Sequence, residues 1–239
     1  TYIKMGGFCV TGGKMPLGHE ISGTVDWVGS EVKGLDVGQR VVVYPGNPDA
    51  DGLNIIGNGG SEGGLTDMLL VRDADRGGRV FPVPDNIALD VAALAEPVAV
   101  GMKSAIRAEA EGGEKVAVFG CGPIGLSPIA PFVARGPDVV GIDISARRLE
   151  LAGTLGATAV LNPAEVDVWE ELRRLHGEFK HMGTPLPATH AYVEASGAGQ
   201  VMNDIITNAA PKRRISLVAL HMQPVPLPLG PVMSKQLEI

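Results

Sequence analysis

The run Lys115-Val-Ala-Val-Phe119 is apolar and strand-forming, and it leads directly into Gly120-Cys-Gly122-Pro-Ile-Gly125. This G-x-G-x-x-G constrains the chain more than any other feature, because its context is that of a strand that turns into a helix. Gly120 permits the tight turn, Gly122 lets the backbone approach a pyrophosphate, and Gly125 lets helix and strand pack closely. The helix opening at Pro123 and Ile124 presents a positive dipole end and free N–H groups to phosphate. Eighteen residues beyond Gly125 a second apolar run ends at Asp143. A carboxylate there hydrogen-bonds adenosine ribose hydroxyls and repels a 2′-phosphate, which favours NAD over NADP. Arg148 stands close enough in sequence to join this cofactor site, and with Arg147 it also fits a solvated helix face.

Around that turn, strand-like and helix-like runs alternate: 115–119, 123–135, 139–143, 145–155, 158–161, 165–176, 191–195, 199–210 and 215–220. Such alternation predicts a parallel sheet covered by helices on both faces, an α/β fold. Helical spacing is explicit in Leu149, Ala152 and Leu155, and again in Val166, Trp169, Leu172 and Leu175. Pro128 and Pro131 fall inside the helix expected after the glycines, where an interior proline costs about 3 kcal/mol. A kink is the expected outcome.

Before about residue 90 the pattern differs. Ile21, Gly23, Val25 and Trp27 share one face of an alternating run, Arg40–Tyr44 starts another strand, and 65–72 reads as extended. Residues 45–64 are rich in Gly, Asn, Asp and Pro, a long surface loop. The expected division is therefore an antiparallel β domain over 1–97 and a doubly wound coenzyme domain over 98–239, joined by a helix around 90–107. With 239 residues, 45% of them hydrophobic, each part can bury a core of its own.

Composition removes several function classes. A net charge of −7 without a basic cluster argues against nucleic acid. Two cysteines, Cys9 and Cys121, are too few for a disulfide framework or a four-thiolate cage, and they suit a reducing compartment, with the cytoplasm as the expected location. The uncharged stretch Val116–Ala134 is broken by three glycines and three prolines, so it reads as strand and helix rather than as a membrane span.

Gly18-His19-Glu20 is a second chemical feature. Histidine nitrogen and carboxylate oxygen both suit a zinc ion, yet no further ligand lies nearby in sequence. An ordinary hydrogen-bonded pair is the competing reading. His176, His181, His190 and His221 have no ligand spacing and read as surface or loop residues.

Taken with Gly23, Gly29, Val32, Val37-Gly-Gln-Arg-Val41, Ala95-Glu96-Pro97, the glycine fingerprint and Val140-Gly-Ile-Asp143, the Gly-His-Glu motif resembles the zinc-dependent alcohol dehydrogenases of the medium-chain dehydrogenase/reductase superfamily. The resemblance runs over essentially the whole chain and is nearest to the polyol branch of sorbitol and butanediol dehydrogenases. It implies a partial GroES-like catalytic domain and a Rossmann coenzyme domain, one catalytic zinc, NAD, and hydride transfer between an alcohol or polyol CH–OH group and the nicotinamide. It implies His19 and Glu96 as zinc ligands, with Glu20 as an alternating or supporting one. Glu96 also suits plain capping of a helix start. The family's cysteine ligand lies upstream of Cys9, so the chain reads as a piece truncated at both ends. Homodimers or homotetramers and a small-molecule alcohol as partner follow from the same resemblance.

Departures exist. The loop Pro45–Gly60 has none of the four cysteines that hold a structural zinc in many relatives, so that ion is not expected. Gln39 stands for the usual acid, and Lys212-Arg213 for the usual glycines before the fifth strand. Pro224–Pro231 reads as a coenzyme-side loop rather than a polyproline recognition segment. Two further functions compete: a zinc-free quinone-type reductase, against which Gly-His-Glu and Glu-Pro argue, and a catalytically inactive dinucleotide-binding or structural protein.

Overall fold

The computed structural model describes residues 16–46, 55–75 and 78–239. Its contacts divide the chain into two units, Thr1–Pro97 and Val98–Ile239. Cys9 and residues 47–54 of the expected loop lie outside the described residues.

In the first unit β1 (Ile21–Thr24), β2 (Arg40–Val43) and β3 (Val80–Pro82) form an antiparallel sheet in that order. Ile21 pairs with Val43, and Val42 with Phe81. Alternation along β2 buries Val41 and Val43, the inward side chains of a half-covered sheet. The Arg40 guanidinium reaches beyond the strand and donates to the carbonyls of Pro84, Asp85 and Ile87, fixing the path toward α1 (Leu89–Ala92) and α2 (Ala95–Ala108). One expectation fails here: residues 65–72 form bends and turns, with no strand. Thr66 Oγ1 donates to the Met68 carbonyl at 3.1 Å, and such a local bond competes with a ladder. Trp27, which its spacing sets on one face with Ile21, Gly23 and Val25, is 73% exposed beyond the end of β1.

The second unit is built on five parallel strands, β4 (Lys115–Phe119), β5 (Asp138–Ile142), β6 (Ala159–Leu161), β9 (Ala191–Glu194) and β10 (Arg214–Leu217). Their order is β10-β9-β4-β5-β6, so consecutive connections run away from β4 on either side. Two packed layers follow from the period of two. Val116, Val118 and Val139 face Ala105, Ala108, Ile129 and Phe132 on one side. Ala117, Phe119, Val140 and Ile142 face Leu172, Met202, Ile205 and Ile206 on the other. Each large aliphatic side chain fully buried this way contributes about 1.5–3 kcal/mol.

The helices are α3 (Pro123–Leu126), α4 (Ile129–Arg135), α5 (Ala146–Thr154), α6 (Val168–His176), α7 (Gly199–Asn208) and α8 (Leu229–Ser234). The expected kink takes the form of a break between α3 and α4. Pro128 is the N-cap of α4 and Pro131 lies in its first turn, where an N–H has no helical partner to lose. Asp167 caps α6 by accepting from the N–H groups of Trp169 and Glu170 at 2.9 and 3.0 Å. Between α6 and β9 stands an unanticipated hairpin, β7 (Glu178–His181) and β8 (Thr184–Pro187), closed by Met182 and Gly183, both with positive φ. Lys212, in the place of a turn glycine, carries a left-handed φ of 60°. Among the described residues no helix is long and apolar enough to cross a membrane.

Candidate metal centre and nucleotide turn

Backbone crowding sets the position of His19. Gly18 has φ +92°, its carbonyl accepts from the Gly64 N–H at 2.8 Å, and the Leu17 carbonyl accepts from Leu65 at 2.9 Å. A Cβ on Gly57 would lie 1.8 Å from the Gly18 oxygen and one on Gly18 would lie 2.8 Å from the Leu65 nitrogen, so each close approach depends on its own glycine. Glu20 follows immediately and β1 begins at the next residue. Two residues into the strand, Ser22 Oγ donates to the Leu89 carbonyl at 2.6 Å, tying β1 to the start of α1. Glu96 then falls in the first turn of α2.

Through these ties His19, Glu20 and Glu96 come together, each offering a ligand atom, with all three atoms within 4.8 Å of one another. Among the described residues they are the one such group. Glu96 is held above the usual carboxylate range, first by burial; the His19 side chain opposes this and the negative charge of Glu20 adds to it. A cation between them relieves that like-charge repulsion, and one nitrogen with two carboxylate oxygens is a donor set that suits Zn²⁺. A cavity of about 690 Å³ in the same unit, lined by Val25, Trp27, Val41 and Met68 among others, includes none of the three.

The glycine turn lies between β4 and α3. Gly120 has φ +89°, and a Cβ there would lie 2.7 Å from the backbone of Ser196. Gly125 is closer still, its missing Cβ falling 1.7 Å from the Gly120 oxygen and 3.1 Å from the Ala195 methyl. Gly122 differs from both: it is the extended N-cap of α3, and nothing stands within 4 Å of where its Cβ would be. Pro123 and Ile124 form the first positions of α3. Space over Gly122 beside a helix start is a cradle that a phosphate can enter.

Asp143 follows directly on β5 and is buried. Its Oδ2 accepts from the Cys121 N–H at 2.7 Å and its Oδ1 from the Ser145 N–H at 2.8 Å, so the acid is locked to the glycine turn. Lone-pair capacity remains on both oxygens for ribose hydroxyls. Arg148 places Nη1 3.5 Å from Oδ2, whereas Arg147 pairs with Glu150 on the exposed helix face. The Cys121 thiol is pushed up to about 12 by burial and by Asp143, which leaves it inert.

The histidines correct the surface expectation in part. His176 is fully buried, with Nδ1 2.8 Å from Thr189 Oγ1 and its pKa lowered to about 4 by burial. His190 accepts the Lys115 N–H at Nδ1, and His181 lies in the hairpin. His221 is mostly buried and bonds Glu194, itself wholly buried at the end of β9. Neither Glu194 nor this pairing carries a motif, and only the apolar setting of a lone acid in Ala-Tyr-Val-Glu194 signals it.

Similarity to known proteins gives the family. Residues 2–85 match the alcohol dehydrogenase GroES-like domain and residues 123–239 match the zinc-binding dehydrogenase family. The chain is 33% identical over 238 residues to the (R,R)-butanediol dehydrogenase of Neisseria gonorrhoeae, across 93% of this chain and 64% of that protein. The solved 2R,3R-butanediol dehydrogenase of Bacillus subtilis is 28% identical with a TM-score of 0.77, covering 93% of this chain and 63% of that one. Galactitol-1-phosphate dehydrogenase of Escherichia coli is 27% identical with a TM-score of 0.77, covering 94% and 66%. The chain thus spans just under two thirds of the length of these proteins. With both alcohol dehydrogenase models matched along it, the chain belongs to the zinc-binding alcohol dehydrogenase family of the medium-chain dehydrogenase/reductase superfamily.

Proposed function

We propose that this chain carries the metal and nucleotide sites of a zinc-dependent, NAD-linked dehydrogenase of alcohols or polyols. The observation that carries the reading is the convergence of His19, Glu20 and Glu96, residues from two distant stretches of sequence, onto one point within 4.8 Å. The diol and polyol-phosphate substrates in the names of the two solved relatives support the substrate class.

In this reading His19 and Glu96 hold the zinc, with Glu20 beside them as an exchanging ligand. Zinc when bound lowers the pKa of a coordinated alcohol toward neutrality, as it does for water, and the nicotinamide accepts the hydride. The protein's own part is placement. Asp143 takes the adenosine ribose hydroxyls and excludes a 2′-phosphate, and the open backbone at Gly122 admits the pyrophosphate. Arg148, with Nη1 3.5 Å from Asp143 Oδ2, partly offsets the charge of that acid.

Metal analysis of the intact protein that contains this chain tests the assignment. Zinc near one equivalent per chain is expected, falling by tenfold or more in His19→Ala and in Glu96→Gln, with circular dichroism unchanged. Alcohol-dependent NAD reduction at full rate by protein stripped of zinc is the result that overturns it.

A further inference from the structure

Three loops meet where the strand order of the second unit reverses. After β4 the Gly120 turn touches the backbone of Ser196; after β9 the segment Ala195–Gly197 follows; after β10 the Leu220 oxygen lies 3.1 Å from where a Cβ on Gly197 would be. Ligands of open parallel sheets bind in this crevice, and each half of the fold takes one mononucleotide. Asp143 marks the β4-β5-β6 half as the adenosine side. The loops after β9 and β10 therefore belong to the nicotinamide side.

A single carboxylate organises those two loops. Glu194 is wholly buried, and its Oε1 accepts from the N–H groups of Ser196 at 2.8 Å and Gly197 at 3.1 Å and from the Ser196 hydroxyl. Its Oε2 lies 3.0 Å from His221 Nε2. Every one of these protein partners is a donor or can act as one, so the carboxylate serves both loops as their common acceptor. No lysine or arginine pairs with it among the described residues; His221, with Nδ1 buried and unpartnered, is the one ring that reaches it.

We propose that the Glu194–His221 pair makes the crevice discriminate between the redox states of the dinucleotide. Oxidised nicotinamide carries a positive ring charge and reduced nicotinamide does not, so an anionic side chain held by the loops of this half favours the oxidised form. Glu194 acts as a positioning residue through Ser196 and Gly197 and as a fixed source of negative potential. The inference rests on the nicotinamide dinucleotide reading above.

Calorimetric titration of the 239-residue chain with NAD+, NADH and ADP-ribose tests it. Glu194→Gln keeps an acceptor for the loop N–H groups and removes the charge; the ratio of NAD+ to NADH affinity is expected to fall about three- to tenfold, the scale of one partly screened charge. ADP-ribose binding, which reports the adenosine half, stays within twofold. His221→Lys places a permanent ammonium against the carboxylate and lowers the same ratio, so it carries the test even where Glu194→Gln does not fold. Equal losses for NAD+ and NADH in the variants, or an unchanged ratio in both, overturn the proposal. A wild-type chain that binds neither ADP-ribose nor NAD+ overturns the dinucleotide reading itself, a result distinguishable from failure of the charge effect alone.

Discussion

Two glycines three residues apart ought to fail in opposite ways when given a methyl group. At Gly125 the added Cβ falls 1.7 Å from the Gly120 oxygen and 2.9 Å from the Gly120 carbonyl carbon, whereas a relaxed contact needs roughly 3.5 Å. The obstacle is backbone, so no side chain can swing aside, and β4 and α3 must separate by roughly 2 Å at their junction. Overpacking of this kind costs about 1–3 kcal/mol, and backbone places it at the upper end. For a chain of this size each kcal/mol lowers Tm by about 2–4 °C, so Gly125→Ala is expected to melt roughly 5–12 °C below wild type. Gly122 sits at φ −72°, ψ −178°, extended backbone open to any residue, with nothing within 4 Å of the new methyl. Gly122→Ala is therefore expected to keep its stability within about 0.5 kcal/mol, or to gain slightly through a less flexible unfolded chain. Its methyl occupies the space through which a pyrophosphate approaches, so NADH affinity drops by about tenfold or more. Thermal unfolding followed by circular dichroism, with NADH titration of both variants, separates the two effects. The reasoning is refuted if Gly125→Ala melts within a degree of wild type, or if Gly122→Ala binds NADH undiminished.

Asp143→Asn removes the charge that excludes a 2′-phosphate while leaving an acceptor oxygen for one of the two N–H groups, Cys121 or Ser145, that the carboxylate holds. The preference for NADH over NADPH, read from the two Kd values, is expected to fall by about tenfold at a stability cost of about 1–3 kcal/mol; an unchanged ratio rejects Asp143 as the selectivity element. His176 gives a pH signature. Its folded pKa of about 4 lies below the unfolded value near 6.5, so the unfolded chain binds the extra proton between those limits. Stability is then greatest above pH 6.5 and declines by about 3 kcal/mol as pH falls to 4; denaturant titrations across that window should show the decline, and His176→Gln should flatten it.

The second unit was legible because its parallel strands are buried on both faces and read as short apolar runs between turn signals, as in Lys115–Phe119. The same rule fails where strands are short, exposed and rich in proline. The hairpin β7–β8 carries Pro185 and Pro187, and its turn places Met182 at φ +48°, a residue that no turn preference would choose. Residues 65–72 fail in the other direction. Their apolar content suggests a strand, but Leu65 and Met68 remain exposed, and local hydrogen bonding bends the segment instead.

Within the candidate site, legibility follows the kind of constraint each residue obeys. Gly120, Gly122, Gly125 and Asp143 act within one strand-turn-helix-strand unit, so their spacing is local and fixed by geometry that any such unit shares. His19 and Glu96 meet over 77 residues through the Gly18–Gly57 approach and the Ser22–Leu89 bond, neither of which leaves a periodic mark; only the resemblance to a family joined them. Glu194 and His221 belong to neither class. Their association requires β9 and β10 to be neighbours in register, Val193 beside Ser216 and Glu194 beside Leu217, so that the residues after each strand end converge. A buried acid at a strand end becomes a site only after the sheet order is known, because the sheet order decides which loops share its crevice.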